Sequence, residues 1–196
     1  MSNDDKLKVR QIESKKNSFN ELTLIRDTIF WIDIVGEGQN ENAIFARPFN
    51  EKEAFPQKLT SKKYNIKNKF HGYGGKSYKC IYLNNNFYLI WIDQITNAVW
   101  FQIFKEVASN YRSQTRYLDS VQEPRQLSKS IDGNFDSSFV ISEKNFLYGI
   151  CEINDKDYLF SLNLKKTKQD NYRIKKFKNF AGELSSNTSA SLLSWI

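Results

Sequence analysis

Three apolar runs recur along this chain at a sixty-residue interval. Thr28 to Asp33 reads TIFWID, Phe87 to Asp93 reads FYLIWID, and Phe146 to Ile153 reads FLYGICEI. Trp31, Trp91 and Cys151 share one position of the repeat; Asp33, Asp93 and Ile153 share another. A fourth copy begins in SLLSWI, with Trp195 forty-four residues beyond Cys151. Self-similarity of this kind describes one supersecondary unit used several times, because a single unit cannot bury its own apolar face.

Each run has a strand-like context. Asn20 to Ile25, Ser77 to Tyr82 and Phe135 to Ile141 precede the three copies, and Ala43 to Phe49, Asn97 to Phe104 and Asp157 to Leu164 follow them. A more polar strand closes each unit, at Gln57 to Thr60, Arg125 to Ser128 and Tyr172 to Phe177. Turn formers such as Asn84-Asn85-Asn86, Gly36-Glu37-Gly38 and Asn154-Asp155-Lys156 separate them. Four antiparallel strands repeated at a fixed period describe the blades of a β-propeller. The interval exceeds the about 40–50 residues of common blades, and the excess falls in Lys62 to Phe70 and Glu106 to Pro124. The pattern also fits an antiparallel sandwich or an open meander. Lys6 to Lys16 and Glu106 to Thr115 are the only helical candidates, and each reads equally well as loop.

Composition agrees with strands. The chain of 196 residues is 40% hydrophobic and 15% aromatic, with fifteen Phe, ten Tyr and four Trp. The formal charge of +7 aids solubility and permits weak attraction to polyanions without requiring a nucleic-acid partner. No run of about eighteen apolar residues suggests a membrane helix, and the polar N-terminus lacks the apolar segment of a secretory signal. Cys80 and Cys151 lie in separate strand-like runs, so free packed thiols in a reducing, cytoplasmic compartment are the simplest reading. Four zinc ligands cannot be assembled, and no cofactor is expected. The lysine clusters, Lys165-Lys166-Lys168 and Lys175-Lys176-Lys178 among them, suit outer edge strands that must not pair with other sheets. Interleaved aromatics and lysines in YRIKKFKNF also have the look of a stacking surface for single strands, the weaker of the two readings.

The stretch Tyr64 to Tyr78, YNIKNKFHGYGGKSY, contains the sole histidine, His71, and three of the eight glycines. Its order of tyrosine, asparagine, aliphatic and basic residues, then His71-Gly72-Tyr73-Gly74-Gly75, resembles the start of the second propeller blade in acylaminoacyl-peptidase-like members of the prolyl oligopeptidase family. Further matches follow in the family's order: Phe30-Trp31 with Gly36 to Arg47, Leu59-Thr60, Pro124 to Leu127, Asp157 to Leu164, and Leu184 to Ile196. The family's acidic residue after the histidine is Gly72 here, and its Ser-Pro-Asp-Gly turn is Ser186-Asn187-Thr188-Ser189.

The resemblance implies an incomplete propeller of three blades plus the start of a fourth, about 18–61, 70–128, 134–178 and 183–196, after a polar segment 1–17. It implies a gating and substrate-selecting role in a serine peptidase, on peptide substrate in the complete enzyme only. Catalytic machinery is not expected in this stretch of chain, because the family's Gly-x-Ser-x-Gly elbow is absent. His71 and Tyr73 are candidates for facing substrate, although a ring packed between Phe70 and Tyr73 explains the histidine more simply. Gly74, Gly75, Trp31, Trp91 and Trp195 read as structural. Asp33 and Asp93 recur at equivalent strand ends, where carboxylates commonly satisfy turn backbone. Open blade edges suggest self-association. The alternative is a stand-alone β-repeat module for a protein or polyanion partner.

Overall fold

The computed structural model describes residues 20–35, 41–51, 54–72, 75–108, 116–130, 133–166 and 173–175. The polar N-terminal segment, Tyr73, Gly74, the Gly36 to Gly38 turn and the stretch carrying Trp195 lie outside the described residues.

The described chain is all β, with three antiparallel sheets and one 3-10 turn. The first sheet runs β1 (Asn20–Ile25), β2 (Thr28–Val35), β3 (Glu41–Pro48) and β4 (Gln57–Lys58) in sequence order. The second comprises β5 (Tyr78–Leu83), β6 (Asn86–Asp93), β7 (Ala98–Ala108), β8 (Arg116–Ser120) and β9 (Arg125–Gln126). The third comprises β10 (Asn134–Phe135), β11 (Val140–Ile141), β12 (Phe146–Ile153), β13 (Lys156–Asn163) and β14 (Arg173–Lys175). The repeated runs are β2, β6 and β12, each in second position from the sheet's leading edge. None of the three sheets closes on itself, and successive sheets stack face to face, as in part of a propeller.

Two adjoining cores explain why the repeated runs are apolar throughout. Adjacent side chains of a strand point to opposite faces. In the first core Phe30, Ile32, Ile44 and Ala46 of the first sheet meet Cys80, Phe87, Leu89, Trp91 and Phe104 of the second. In the second core Ile90, Ile92, Val99 and Phe101 meet Phe135, Leu147, Cys151, Phe160 and Leu162 of the third. Residues 89 and 91 thus serve one core and residues 90 and 92 the other. Both cysteines are buried and neither is in a disulfide, and burial pushes the Cys80 thiol well above its ordinary value.

The sheets depart from the sequence reading in two places. Phe135 to Ile141 reads as one strand but forms two short ones, β10 and β11, both on β12. The segment between them leaves the ladder so that Phe139 can enter the second core. Glu106 to Ala108, part of a helical candidate, continues β7 instead, because Arg116–Ser120 supplies an additional strand paired along Phe104 to Ala108. β8 and β9 then share the far edge of β7, β9 pairing with Trp100 and Phe101. The hairpin turn after the third run falls where the sequence reading put it, at Asn154 and Asp155. Ile153 pairs with Lys156 across a two-residue turn whose Asn154 and Asp155 have φ of 52° and 56°, the left-handed pair such turns require.

A recurring hydroxyl ends the outer strand of the first two units. Thr60 Oγ1 accepts the Ile44 amide at 3.0 Å, and Ser128 Oγ accepts the Val99 amide at 2.9 Å. The preceding leucines, Leu59 and Leu127, donate their amides to the Ile44 and Val99 carbonyls, both at 2.8 Å. The hydroxyl therefore continues, with a side chain, a ladder that the backbone leaves at the leucine.

Gly149 sits opposite Phe160 in the β12–β13 ladder, and a methyl group there would lie 2.7 Å from the Phe160 ring and 3.0 Å from Phe139. Phe160 is pinned edge-on between Phe135 and Phe139, so it has no room to withdraw. Gly149→Ala is expected to cost about 1–3 kcal/mol by overpacking, read as a lowered urea midpoint with an unchanged slope.

Candidate functional site: the link between the first and second sheets

The Tyr64 to Tyr78 link is built as a joint. Tyr64 is buried against Trp91 and Trp100, with ring centroids 5.3 and 4.8 Å apart. Asn65 joins two hairpin ends: its Oδ1 accepts the Asn42 amide at 3.1 Å and its Nδ2 donates to Gln94 Oε1 at 3.0 Å. Its own amide donates to Asp93 Oδ1 at 2.8 Å. Ile66 is buried beyond it and bridges Asp93. Each residue of the Tyr-Asn-aliphatic pattern therefore has a separate task in holding the first two sheets together.

Asp93 is fully buried and its carboxylate is occupied by turn groups. Oδ2 accepts from the Thr96 amide at 3.0 Å and the Thr96 hydroxyl at 2.7 Å. At the equivalent position Asp33 Oδ1 accepts the Ile34 amide at 2.8 Å. Both carboxylates satisfy backbone, as their position at strand ends suggests, and they do not converge on one pocket.

Beyond Ile66 the chain turns over the leading edges of the second and third sheets. Asn68 Oδ1 accepts the Phe70 amide at 2.8 Å, and its Nδ2 donates to the Lys76 carbonyl at 2.9 Å. Between these contacts lies the 3-10 turn Phe70–Gly72, which holds His71 and adjoins β10 and β12. Gly72 leaves this turn at φ 68°, a conformation glycine adopts without the strain an acidic side chain would meet. Gly75 follows where a methyl group would fall 2.8 Å from Asp136 Oδ1 and 3.1 Å from Asn68 Nδ2. The sequence places this link between the first and second units; the structure carries it on to the third. The His71 side chain, Tyr73 and Gly74 lie outside the described residues.

Glu21 completes the joint. The Ser77 amide and hydroxyl donate to its two carboxylate oxygens at 2.5 and 2.8 Å. The Tyr78 hydroxyl donates to the Glu21 carbonyl at 2.7 Å, and burial pushes the Tyr78 phenol well up. Glu21 itself has φ 55°, where β1 departs from regular register with β2. Ser77 is thus committed to a structural carboxylate. This arrangement fixes the leading edge of the second sheet; it does not pair a hydroxyl with a base.

A second cluster lies at the opposite ends of the strands. Arg116 Nε donates to Glu51 at 2.6 Å, and Nη1 contacts Asp27 at 2.5 Å and Glu106 at 3.0 Å. Arg116 and Glu106 belong to the second sheet, Asp27 and Glu51 to the first. The Arg116 hydrogen bond holds the Asp27 carboxyl below the ordinary range. Burial pushes Glu51 upward, and the bonds from Arg116 more than reverse it. The cluster borders a 270 Å³ pocket lined by Ala46, Pro48, Phe55, Pro56, Tyr117 and Leu118. Gln57 spans its floor, its amide group pairing with the Leu118 backbone at 2.6 and 2.8 Å like an added strand residue. Sequence reading missed this cluster because its members lie up to 89 positions apart.

Arg125 makes the corresponding tie between the second and third sheets. Its guanidinium donates to the Leu164 carbonyl and, at 3.2 Å, to the Lys166 carbonyl. It also sits 5.6 Å from the Phe101 ring centroid. Among the described residues no cluster of His, Cys, Asp and Glu could hold a metal ion, and no helix is long and apolar enough to cross a membrane.

Because Asp27 and Glu51 titrate lower folded than unfolded, their contribution is present above about pH 4 and fades as pH falls through the folded values. Arg116→Ala leaves three carboxylates facing one another. It is expected to cost about 1–2 kcal/mol near neutral pH and to reverse the trend. The wild type loses thermal stability on acidification below about pH 4.5, while the variant regains part of its loss there. Melting curves from pH 7 down to about pH 3 check both signs.

Comparison with protein-family models and with curated proteins finds no match. Among solved structures, a puromycin-hydrolysing peptidase of Mycobacterium tuberculosis superposes with a TM-score of 0.56 at 12% identity, covering 76% of this chain and 21% of that one. A puromycin hydrolase superposes with a TM-score of 0.58 at 13% identity, covering 83% of this chain and 24% of that one. The chain spans about a quarter of the length of these structures. The likeness is one of fold: most of this chain shares its β architecture with about a quarter of each of these structures.

Proposed function

We propose that this chain is the N-terminal propeller portion of an acylaminoacyl-peptidase-like serine peptidase, in which it gates access and selects substrate. Each of the three sheets is one blade in this reading, with a further blade begun after residue 183. The supporting observation is the shared fold with two puromycin-hydrolysing enzymes over 76–83% of the chain, taken together with the propeller that the YNIKNKFHGYGG resemblance implies.

The proposed role is steric and positional. A propeller presents rigid loops at the ends of its strands, and function concentrates on such loops. The Phe70–Gly72 turn is one of these, braced by Asn68 on one side and by the Gly75–Asp136 approach on the other. His71 and Tyr73, on and beside that turn, are the proposed contacts for the entering peptide. In this reading bond cleavage belongs to a separate nucleophile and base, in keeping with the lack of a Gly-x-Ser-x-Gly elbow in this sequence and with the commitment of Ser77 to Glu21.

The test is labelling of the native protein. Immunoprecipitation with antibody against this chain, followed by a fluorophosphonate probe, is expected to recover a labelled serine hydrolase, either as the same polypeptide or bound to it. Recovery of unlabelled protein alone would overturn the peptidase role and favour an independent binding module. The isolated chain should turn over neither acyl-peptide nor aminoacyl chromogenic substrates. Turnover blocked by a serine-directed inhibitor would contradict the gating assignment.

A further inference from the structure

The pocket beside Arg116 lies at the strand ends opposite the Phe70–Gly72 turn, and the gating role makes no use of it. Its volume is 270 Å³. Its floor is already satisfied, because the Gln57 side chain answers both the amide and the carbonyl of Leu118. Its walls, Ala46, Pro48, Pro56 and Leu118, are apolar. Two of the lining residues are rings that face solvent: Phe55 is 89% exposed and Tyr117 44% exposed. Ala54 is buried on one side of Phe55, and Pro56 on the other disfavours a helical backbone there. The phenyl ring is therefore displayed from a held segment while belonging to neither core.

The charge at this place runs against that of the whole chain, which is formally +7. Among the described residues of the lining and the cluster beside it, three carboxylates, Asp27, Glu51 and Glu106, meet two guanidiniums, Arg47 and Arg116. Asp27 and Glu51 titrate below their ordinary values, so the carboxylates keep their charge at neutral pH. Glu106 lines the pocket itself. Its Oε1 lies 3.0 Å from Arg116 Nη1 but accepts no hydrogen bond. An apolar pocket with a few convergent charged groups and shifted titration is the usual form of a small binding site. Aromatic rings beside excess carboxylate favour a positive ligand, which gains from the ring faces as well as from the charge.

We propose that this pocket binds an alkylguanidinium or alkylammonium group. The aliphatic stem lies against Pro48, Pro56 and Leu118, and the cationic head meets Glu106 beside the Phe55 and Tyr117 rings. The volume falls just under the about 300–1,000 Å³ of pockets for drug-sized ligands, which suits a single basic side chain or a small organic cation of the same kind. A carboxylate or phosphate ligand would meet the excess negative charge, and an uncharged ligand would make no use of it. The positive charge of the chain as a whole discourages indiscriminate uptake of cations elsewhere. The inference rests on the pocket and its charges and is independent of the peptidase role, which the labelling experiment reports on separately.

Amide NMR titration of the full chain tests it with four probes: butylguanidinium, butylammonium, the peptide acetyl-Gly-Arg-Gly-amide, and its uncharged citrulline counterpart. The cationic probes are expected to shift the Tyr117 and Leu118 amides with a dissociation constant of about 1 mM or tighter, and added salt should weaken them. The citrulline peptide should bind at least about fivefold more weakly. Similar affinities for butylguanidinium and the arginine peptide would identify a free cation as sufficient; a clear preference for the peptide would identify a basic residue of a polypeptide as the ligand. Glu106→Gln is expected to weaken the cations about threefold to fivefold, and Phe55→Ala about twofold to fivefold. Should Glu106→Gln misfold, Phe55→Ala carries the test, since its side chain lies in solvent. The proposal is overturned if no cation shifts these amides, if the citrulline peptide binds as well as the arginine peptide, or if both variants bind as the wild type does.

Discussion

The second sheet is buried on both faces, and the arrangement of the rest depends on that burial. β6 has no solvent side: Leu89 and Trp91 fill one core while Ile90 and Ile92 fill the other. Each such side chain contributes about 1.5–3 kcal/mol when taken fully from water. Neither outer sheet can be removed without exposing half of this strand. Cooperation between neighbours, rather than any single hairpin, is what makes three small sheets one folded body.

Apolar packing sets the spacing of the sheets but does not fix their rotation or order. That is done by polar contacts at the two ends of the strands. At one end Asn65, Asp93 and the Glu21–Ser77 pair tie the first sheet to the second. At the other, Arg116 draws together carboxylates from both sheets, and Gln57 spans the gap as an extra rung. Arg125 repeats the tie from the second sheet to the third. These are directional, charge-assisted contacts, and they hold the connecting loops in place. The gating role proposed above would need that quality, because loops can discriminate between substrates only if they do not yield.

The fold was largely legible in the sequence because burial on two faces leaves a plain mark. An uninterrupted apolar run of strand length, recurring at a constant interval, has few other uses. The strand starts at Asn86 and Lys156 follow from the Asn84-Asn85 and Asn154-Asp155 turns with the same clarity. The structure corrected the reading where periodicity fails. Arg116–Ser120 alternates too weakly to announce a strand, and Phe135 to Ile141 breaks because Phe139 serves the core better than the ladder does. The candidate site was legible only as a motif. Tyr64, Asn65 and Asp93 stood out individually, whereas the partners that give them meaning, such as Asn42 and Gln94, carry no local signal.

By itself the sequence determined the class of unit, its number of copies in the described chain, and the alternation that gives each sheet two apolar faces. These are properties of short stretches, set by the two-residue period of a strand and by the handedness of its turns. Tertiary structure alone decided which face meets which sheet, that Arg116 would gather Asp27, Glu51 and Glu106, and that the histidine link would reach across to the third sheet. The physical reason is separation. Contacts between residues dozens of positions apart are selected by the stacking of whole sheets, and a linear pattern carries no record of that stacking beyond the apolar residues that drive it.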